Sequence, residues 1–172
     1  MRERLTARVL LLDPDDRLLL IRGRLPSAPE GPSFWFTVGG EIEAGETPRA
    51  AAAREALEET GFADVTIGAE VWYSEEVFVF DDTNQPTHFK ERFFVGRTAG
   101  GPLSRAGWQD VEHRLLDELR WWTLGELRLT GDTVYPEGIA ELLPDVLSGR
   151  LAPAPLVIRT VDGPIPPVPR VS

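Results

Sequence analysis

GGEIEAGETPRAAAAREALEETGF, residues 39–62, is the stretch that sets the reading of this chain. A glycine pair opens it, and a helix follows between clear punctuation marks. Thr47 stands where an N-cap is needed, Pro48 takes the first helical position, where its missing N–H costs nothing, and Gly61 suits a left-handed C-terminal turn. From Thr47 to Thr60 such a helix rises about 21 Å. At 100° per residue Glu55, Glu58 and Glu59 fall within one arc, and Ala50, Ala53 and Leu57 on the opposite side. The expectation is that the alanine and leucine side packs on a sheet while the glutamates present their carboxylates to a common point.

Three like charges at this spacing destabilise an isolated helix. A hard cation with oxygen ligands reverses the sign of that interaction, and Mg²⁺ is the usual choice beside phosphates. A generic E-x-x-E-E is most often a solvated face. Here glycines and an arginine flank it at fixed offsets: Gly40, Glu46, Arg54, Glu55, Glu58, Glu59 and Gly61 stand as G-x5-E-x7-R-E-x-x-E-E-x-G, closed by Phe62. This pattern resembles the Nudix box of the Nudix hydrolases, the MutT-like pyrophosphohydrolases. Two positions depart from it. Ala56 stands where the family prefers a larger aliphatic residue, and Val38 precedes the glycines where many relatives have proline.

The resemblance implies an α/β fold of the α+β kind, the Nudix-type α/β/α sandwich with a mixed β-sheet, over residues 6–147. It implies Mg²⁺, with Mn²⁺ able to substitute, held by Glu55, Glu58, Glu59 and the Gly39 carbonyl, with Glu59 and Glu55 as inner ligands. The base that takes a proton from water would be Glu55 or a loop glutamate, Glu112 being preferred over Glu118. Arg54 would orient a carboxylate, with Glu46 as its structural partner. Arg8 would hold a substrate phosphate.

Composition bounds the rest. At 172 residues the chain is expected to form one domain over 1–150, followed by an arm over 151–172 that holds six prolines. A net charge of −10 argues against nucleic acid or an anionic membrane as a partner, and it requires cations and local arginines wherever a phosphate is to approach. Without cysteine there are no disulfides and no thiolate metal sites. The apolar run at Val9–Leu12 stops at Asp13-Pro14-Asp15-Asp16, and no run reaches membrane-spanning length. A cytoplasmic location is the default expectation.

In chain order, Ala7–Leu12 and Arg17–Arg22 read as a buried hairpin around the DPDD turn. An arginine in such a run usually snorkels or pairs with a carboxylate; the sharper reading is that one of Arg8 and Arg22 points into a cleft and holds a substrate phosphate. Gly23–Ser33 is a loop, and Phe34–Val38 a short strand delivering the chain to Gly39-Gly40, where missing side chains let a ligand approach the backbone. Val65–Val71 and Trp72–Phe80 read as extended. Residues 81–86 form a turn, and Thr87–Thr98 return antiparallel. In the return strand Glu91 falls on the side of Phe89, Phe93 and Val95, where a carboxylate is either paired with arginine or turned to an active site. His88 and His113 receive no role.

Trp108–Leu119 is expected to be helical and Arg120–Thr123 extended, so that Trp121 and Trp122 face opposite ways. Core packing of both is the first reading; the alternative is that one is core and the other, with Trp121 as the candidate, stacks on a base. Pro136–Leu147 reads as a helix covering the far side of the sheet with Ile139, Leu142, Leu143 and Val146.

The function so implied is hydrolysis of a diphosphate linkage in a nucleoside diphosphate joined to another group, releasing a mononucleotide. Arg8, Arg22, Gly40, Glu91 and Trp121 are the candidate contacts to this nucleotide-type small molecule. The alternative is a non-catalytic module that binds nucleotides or ADP-ribose, against which the intact glutamates speak. An acidic interaction face without metal is a third class. An isopentenyl diphosphate isomerase would be expected to use cysteine, and an RNA-decapping enzyme a basic surface. The resemblance also admits a homodimer, which no segment of the sequence demonstrates.

Overall fold

The computed structural model describes residues 1–26, 28–80 and 85–160. Among the described residues eight strands form one mixed sheet, β1 Arg2–Leu12, β2 Leu18–Gly23, β3 Phe34–Glu41, β4 Thr66–Phe80, β5 Gln85–Arg97, β6 Leu116–Trp122, β7 Val134–Tyr135 and β8 Leu156–Arg159. Their spatial order is β6-β2-β3-β1-β5-β4-β8, with β7 added beside β3. Helix α1 (Pro48–Thr60) packs on one face. The short α2 (Asp110–Leu115) precedes β6, while α3 (Leu124–Leu129) and α4 (Ile139–Leu147) lie on the other side. Two cores result. Ala7, Val9, Leu11, Leu19, Ile21 and Val38 meet Ala51, Ala52 and Ala56 of α1 on one face. Leu10, Leu12, Leu18, Leu20, Trp35, Trp72, Phe93 and Trp122 meet Ile139, Leu143 and Val146 on the other. Strands covered on both faces read as continuous apolar runs, which is why Val9–Leu12 and Leu18–Ile21 show no alternation.

The turn between β1 and β2 is built by Asp13, whose Oδ1 accepts the backbone N–H groups of Asp15 (3.0 Å) and Arg17 (2.8 Å). The expected hairpin, however, is closed at a single pair, Leu12–Leu18. β3 enters between the two strands, pairing with β2 through residues 34–37 and with β1 through residues 38–41. β1 is thereby left free to run parallel to β5 along its length, Arg2 opposite Thr87 through to Leu12 opposite Arg97.

Three further expectations are corrected. The segment 66–80 is one strand with register shifts near Glu70 rather than two. The helix expected over 108–119 ends at Leu115, because Leu116, Glu118 and Leu119 are drawn into β6 by pairing with Gly23, Arg22 and Ile21. α4 starts at Ile139, after Gly138 at φ 78°, rather than at Pro136. The first part of the proline-rich arm joins the sheet as β8, parallel to β4 at Trp72 and Tyr73. Of the expected turn over 81–86, residues 81–84 lie outside the described residues. No helix among the described residues is long and apolar enough to cross a membrane.

The loop after α1 is tied to the end of β5 through Asp64. Its carboxylate accepts the Ala99 N–H (2.8 Å) and the Thr98 hydroxyl (2.7 Å). These bonds hold its pKa below the usual 3.8. Stability from a depressed carboxylate is present above the unfolded pKa and is lost as pH falls through the folded one. Asp64→Ala is therefore expected to lower the thermal midpoint at neutral pH, with the gap to wild type closing as pH falls below 3.8. A gap that stays constant across that range would show that the charge contributes nothing.

Candidate active site

Local signals set the ends of α1. The Ala50 N–H donates to Thr47 Oγ1 (3.1 Å), and Gly61 at φ 78° donates its N–H to the Leu57 carbonyl (2.9 Å). Its orientation corrects the sequence reading. Ala50, Ala53 and Leu57 point outward, Leu57 being half exposed, whereas Ala51, Ala52 and Ala56 are fully buried against the sheet. Glu55 and Glu59 lie on that same buried side, 9% and 4% exposed. The small side chain at Ala56 lets the helix sit close to the strands, and the glycine pair makes room for the carboxylates.

Gly39, at φ 143°, donates its N–H to Glu59 Oε2 (2.8 Å). At Gly40 the carboxylate of Glu55 fills the space a side chain would take, and a Cβ there would stand 2.5 Å from the Glu55 carboxyl carbon. Arg54 holds the outer side of the cluster. Its Nε and one terminal nitrogen grip both oxygens of Glu46 (2.9 Å each), and the second of these also donates to the Glu41 carbonyl (3.0 Å). Its other nitrogen reaches Glu55 (2.8 Å) and Glu58 (3.3 Å). A planar fork serving five acceptor oxygens is a role lysine could not fill.

The electrostatics follow from burial. Desolvation pushes the Glu59 pKa well above its ordinary value; the Gly39 N–H and Arg8 oppose this, while Glu55 and Glu112 add to it. Desolvation also raises Glu55, against the pull of Arg54 and with the repulsion of Glu58 and Glu112. Glu112, in the first turn of α2, is thus electrostatically coupled to the helix carboxylates, and its Oε2 accepts the Gln109 N–H (2.6 Å).

Arg8 lies across from Gly39 in the β1–β3 pairing. Its Nε donates to Glu91 Oε1 (2.8 Å), and its terminal nitrogen approaches the Gly39 carbonyl (3.3 Å) and the Thr37 carbonyl (3.5 Å). Burial opposes its charge, but Glu91, with Glu59 and Glu55 behind it, leaves its pKa raised. Glu91 also accepts from the Thr6 hydroxyl (3.1 Å). The pair Arg8–Glu91 therefore abuts Gly39 within the β1–β3 pairing, because β3 runs on through both glycines to Glu41 instead of ending at Val38 as the sequence suggested.

Other candidates are placed elsewhere. Arg22 pairs with Glu118 (3.3 Å) and Asp117 (3.7 Å). It lies opposite Trp35, four and five residues along β3 from the glycines, or roughly 13–16 Å. Trp122 is core, edge-on to Trp35 at 5.0 Å, and Trp121 stacks on Phe62 on the opposite face at 6.2 Å. His88 is buried against Glu75 (2.7 Å).

Among the described residues no three carboxylates already converge as a metal cage, since Glu55 and Glu58 are turned to Arg54 and Glu59 to Gly39. The donor chemistry nonetheless fits a hard divalent cation. Burial disfavours the charged forms of Glu59 and Glu55, and both lie against the Gly39-Gly40 segment of β3, Glu59 on the Gly39 N–H and Glu55 in the space a Gly40 side chain would take. A NUDIX domain profile matches residues 2–144. The chain belongs to this family.

The NUDIX fold is seen again in solved structures. The MutT protein from Methanosarcina mazei Go1 superposes with a TM-score of 0.63 at 16% identity, covering 87% of this chain and 96% of that one. An ADP-ribose pyrophosphatase from Streptococcus suis gives 0.56 at 17%, covering 91% and 97%. A Myxococcus xanthus octanoyltransferase is 52% identical over 48 residues, which make up 28% of this chain but only 12% of that protein. The structural likenesses speak to the fold alone, and the octanoyltransferase match spans a short part of both chains.

Sequence reading assigns no role to Ser104, Gly107 or Trp108, although all three touch the end of α1. The only signal available was a glycine followed by tryptophan at the close of a glycine-rich loop.

Proposed function

We propose that this NUDIX chain hydrolyses the diphosphate linkage of a nucleoside diphosphate joined to a second group, giving a mononucleotide and a phosphorylated remainder. The observation that carries the reading is the burial of Glu59 and Glu55 against the Gly39-Gly40 segment of β3, where desolvation disfavours their charged forms. Glu55, Glu58, Glu59 and the Gly39 carbonyl are the groups to hold Mg²⁺, or Mn²⁺ in its place. When bound, such a cation neutralises the diphosphate and lowers the pKa of water. Arg54 keeps Glu55 and Glu58 on one side of the cluster through charge-assisted hydrogen bonds. Arg8, locked by Glu91, steadies the Gly39 carbonyl and adds positive charge where phosphate must enter an acidic protein. Glu112 or Glu55 would be the base that takes the proton from the attacking water. The water oxygen joins one phosphorus as the bridging P–O bond breaks, and the other phosphate leaves with the bridging oxygen.

The test is turnover of ADP-ribose, a nucleotide sugar, a dinucleotide and nucleoside triphosphates with Mg²⁺ or Mn²⁺ in ¹⁸O-water, with products read by mass. A mononucleotide and a phosphorylated remainder, with one ¹⁸O between them, are expected, along with complete loss of turnover on chelation. Tight binding of one compound without turnover under either metal would favour the non-catalytic module instead.

A further inference from the structure

The loop before α2 is bolted to the C-terminal end of α1. The last carbonyls of a helix have no partner inside it. Here the Ser104 N–H donates to the Thr60 carbonyl (2.9 Å), and the Trp108 indole Nε1–H donates to the Glu59 carbonyl (2.8 Å). Packing is equally close. A Cβ on Gly107 would stand 2.5 Å from the Glu58 carbonyl oxygen, and one on Gly61 would stand 2.7 Å from the Ser104 Cβ. Trp108 is 6% exposed, with the Arg105 guanidinium 5.0 Å from its ring centre and the His113 ring at 5.6 Å. One peptide bond further on, the Gln109 N–H holds the Glu112 carboxylate (2.6 Å). A short connection therefore runs from the backbone of Glu59, through the Trp108 indole and the Gln109 amide, to the Glu112 carboxylate.

We infer that Trp108 is a positioning residue, which holds Glu112 of α2 at a set place relative to Glu55 and Glu59 so that its carboxylate can serve the hydrolysis proposed above. The inference rests on that reading. The indole N–H donates to a main-chain acceptor inside a buried contact, so the link tolerates little displacement. The charge of Glu112 is felt at both helix carboxylates, in keeping with this placement.

Trp108→Phe removes the N–H and keeps an aromatic ring. In the metal-free protein, hydrogen exchange at the Gln109 amide is expected to quicken at least about tenfold, one decade in the opening equilibrium. With metal and the substrate found by the panel above, kcat is expected to fall about ten- to hundredfold, a part of the roughly 10²–10⁴-fold that general acid–base help supplies, with KM within about threefold. In a protein already carrying Glu112→Gln, the same change should cost little more, because both act through one carboxylate. Unchanged Gln109 exchange, a wild-type kcat, or an equal loss in the Glu112→Gln background would each overturn the inference. If Trp108→Phe fails to fold, Gly107→Ala, which pushes the loop off Glu58 while keeping the indole, is judged by the same measures. Wild-type protein inert on every substrate, or Glu59→Gln at full activity, would overturn the hydrolase reading instead.

Discussion

Glu59→Gln is expected to lower kcat about 10³-fold while leaving the metal-free protein as stable as wild type or more so. Loss of one inner carboxylate removes several kcal/mol of transition-state charge stabilisation, and each 1.36 kcal/mol is a factor of ten. Stability moves the other way because the native carboxylate is buried and its charge is destabilised by desolvation. Glutamine keeps an oxygen for the Gly39 N–H and carries no charge. Adding Mg²⁺ or Mn²⁺ at 100 times its dissociation constant should stabilise wild type by about 2.7 kcal/mol and the variant far less. Thermal unfolding with and without metal, beside steady-state kinetics, reads both halves. A variant with wild-type kcat, or with the same metal-induced shift in its midpoint, would remove Glu59 from the site.

Gly39→Ala and Gly40→Ala should fail in different ways although they are neighbours. At Gly39 a Cβ would collide with the Ala7 carbonyl oxygen and stand 2.8 Å from the Arg8 Cα, both backbone atoms of the paired strand, at a φ of 143°. Neither neighbour can give way without breaking the β1–β3 pairing, so Gly39→Ala is expected to cost at least about 3 kcal/mol. For a chain of this size that is roughly 6–12 °C in the thermal midpoint. At Gly40 the obstacle is the Glu55 carboxylate, the free end of a side chain. That side chain can swing away, so Gly40→Ala should fold with a loss near 1 kcal/mol while kcat falls on the order of 10²-fold through displacement of Glu55. Calorimetry and kinetics on the pair separate the two effects. Equal stability of both variants, or full activity of Gly40→Ala, would contradict this account of the glycine pair in β3.

The ends of α1 could be read from sequence because capping is local. Thr47, Pro48 and Gly61 act on backbone groups within four residues, and all three take the expected places. The pairing of Arg54 with Glu46 is similarly close to the helix, and the box spacing pointed to it. The direction in which α1 faces was not legible. A helical wheel sets charge against apolar residues and sends the charge to solvent, so it turned Leu57 inward and the glutamates away from the sheet. The fold does the opposite with Glu55 and Glu59, because β3 offers two residues without side chains and three alanines allow close approach. Such a choice depends on the surface of a distant strand.

Strand neighbours and loop anchors belong to the same class. β3 between β1 and β2, α2 ending at Leu115, the separation of Arg22 from Arg8, and the bond from Trp108 to Glu59 each join segments many residues apart. The sequence by itself determined the ends of α1, the family and the identities of the acidic residues, since these rest on spacing and on backbone preferences of single residues. Tertiary structure alone decided which carboxylates are buried together and which loop reaches them. Burial and long-range hydrogen bonds exist only once the sheet has brought those surfaces within contact distance.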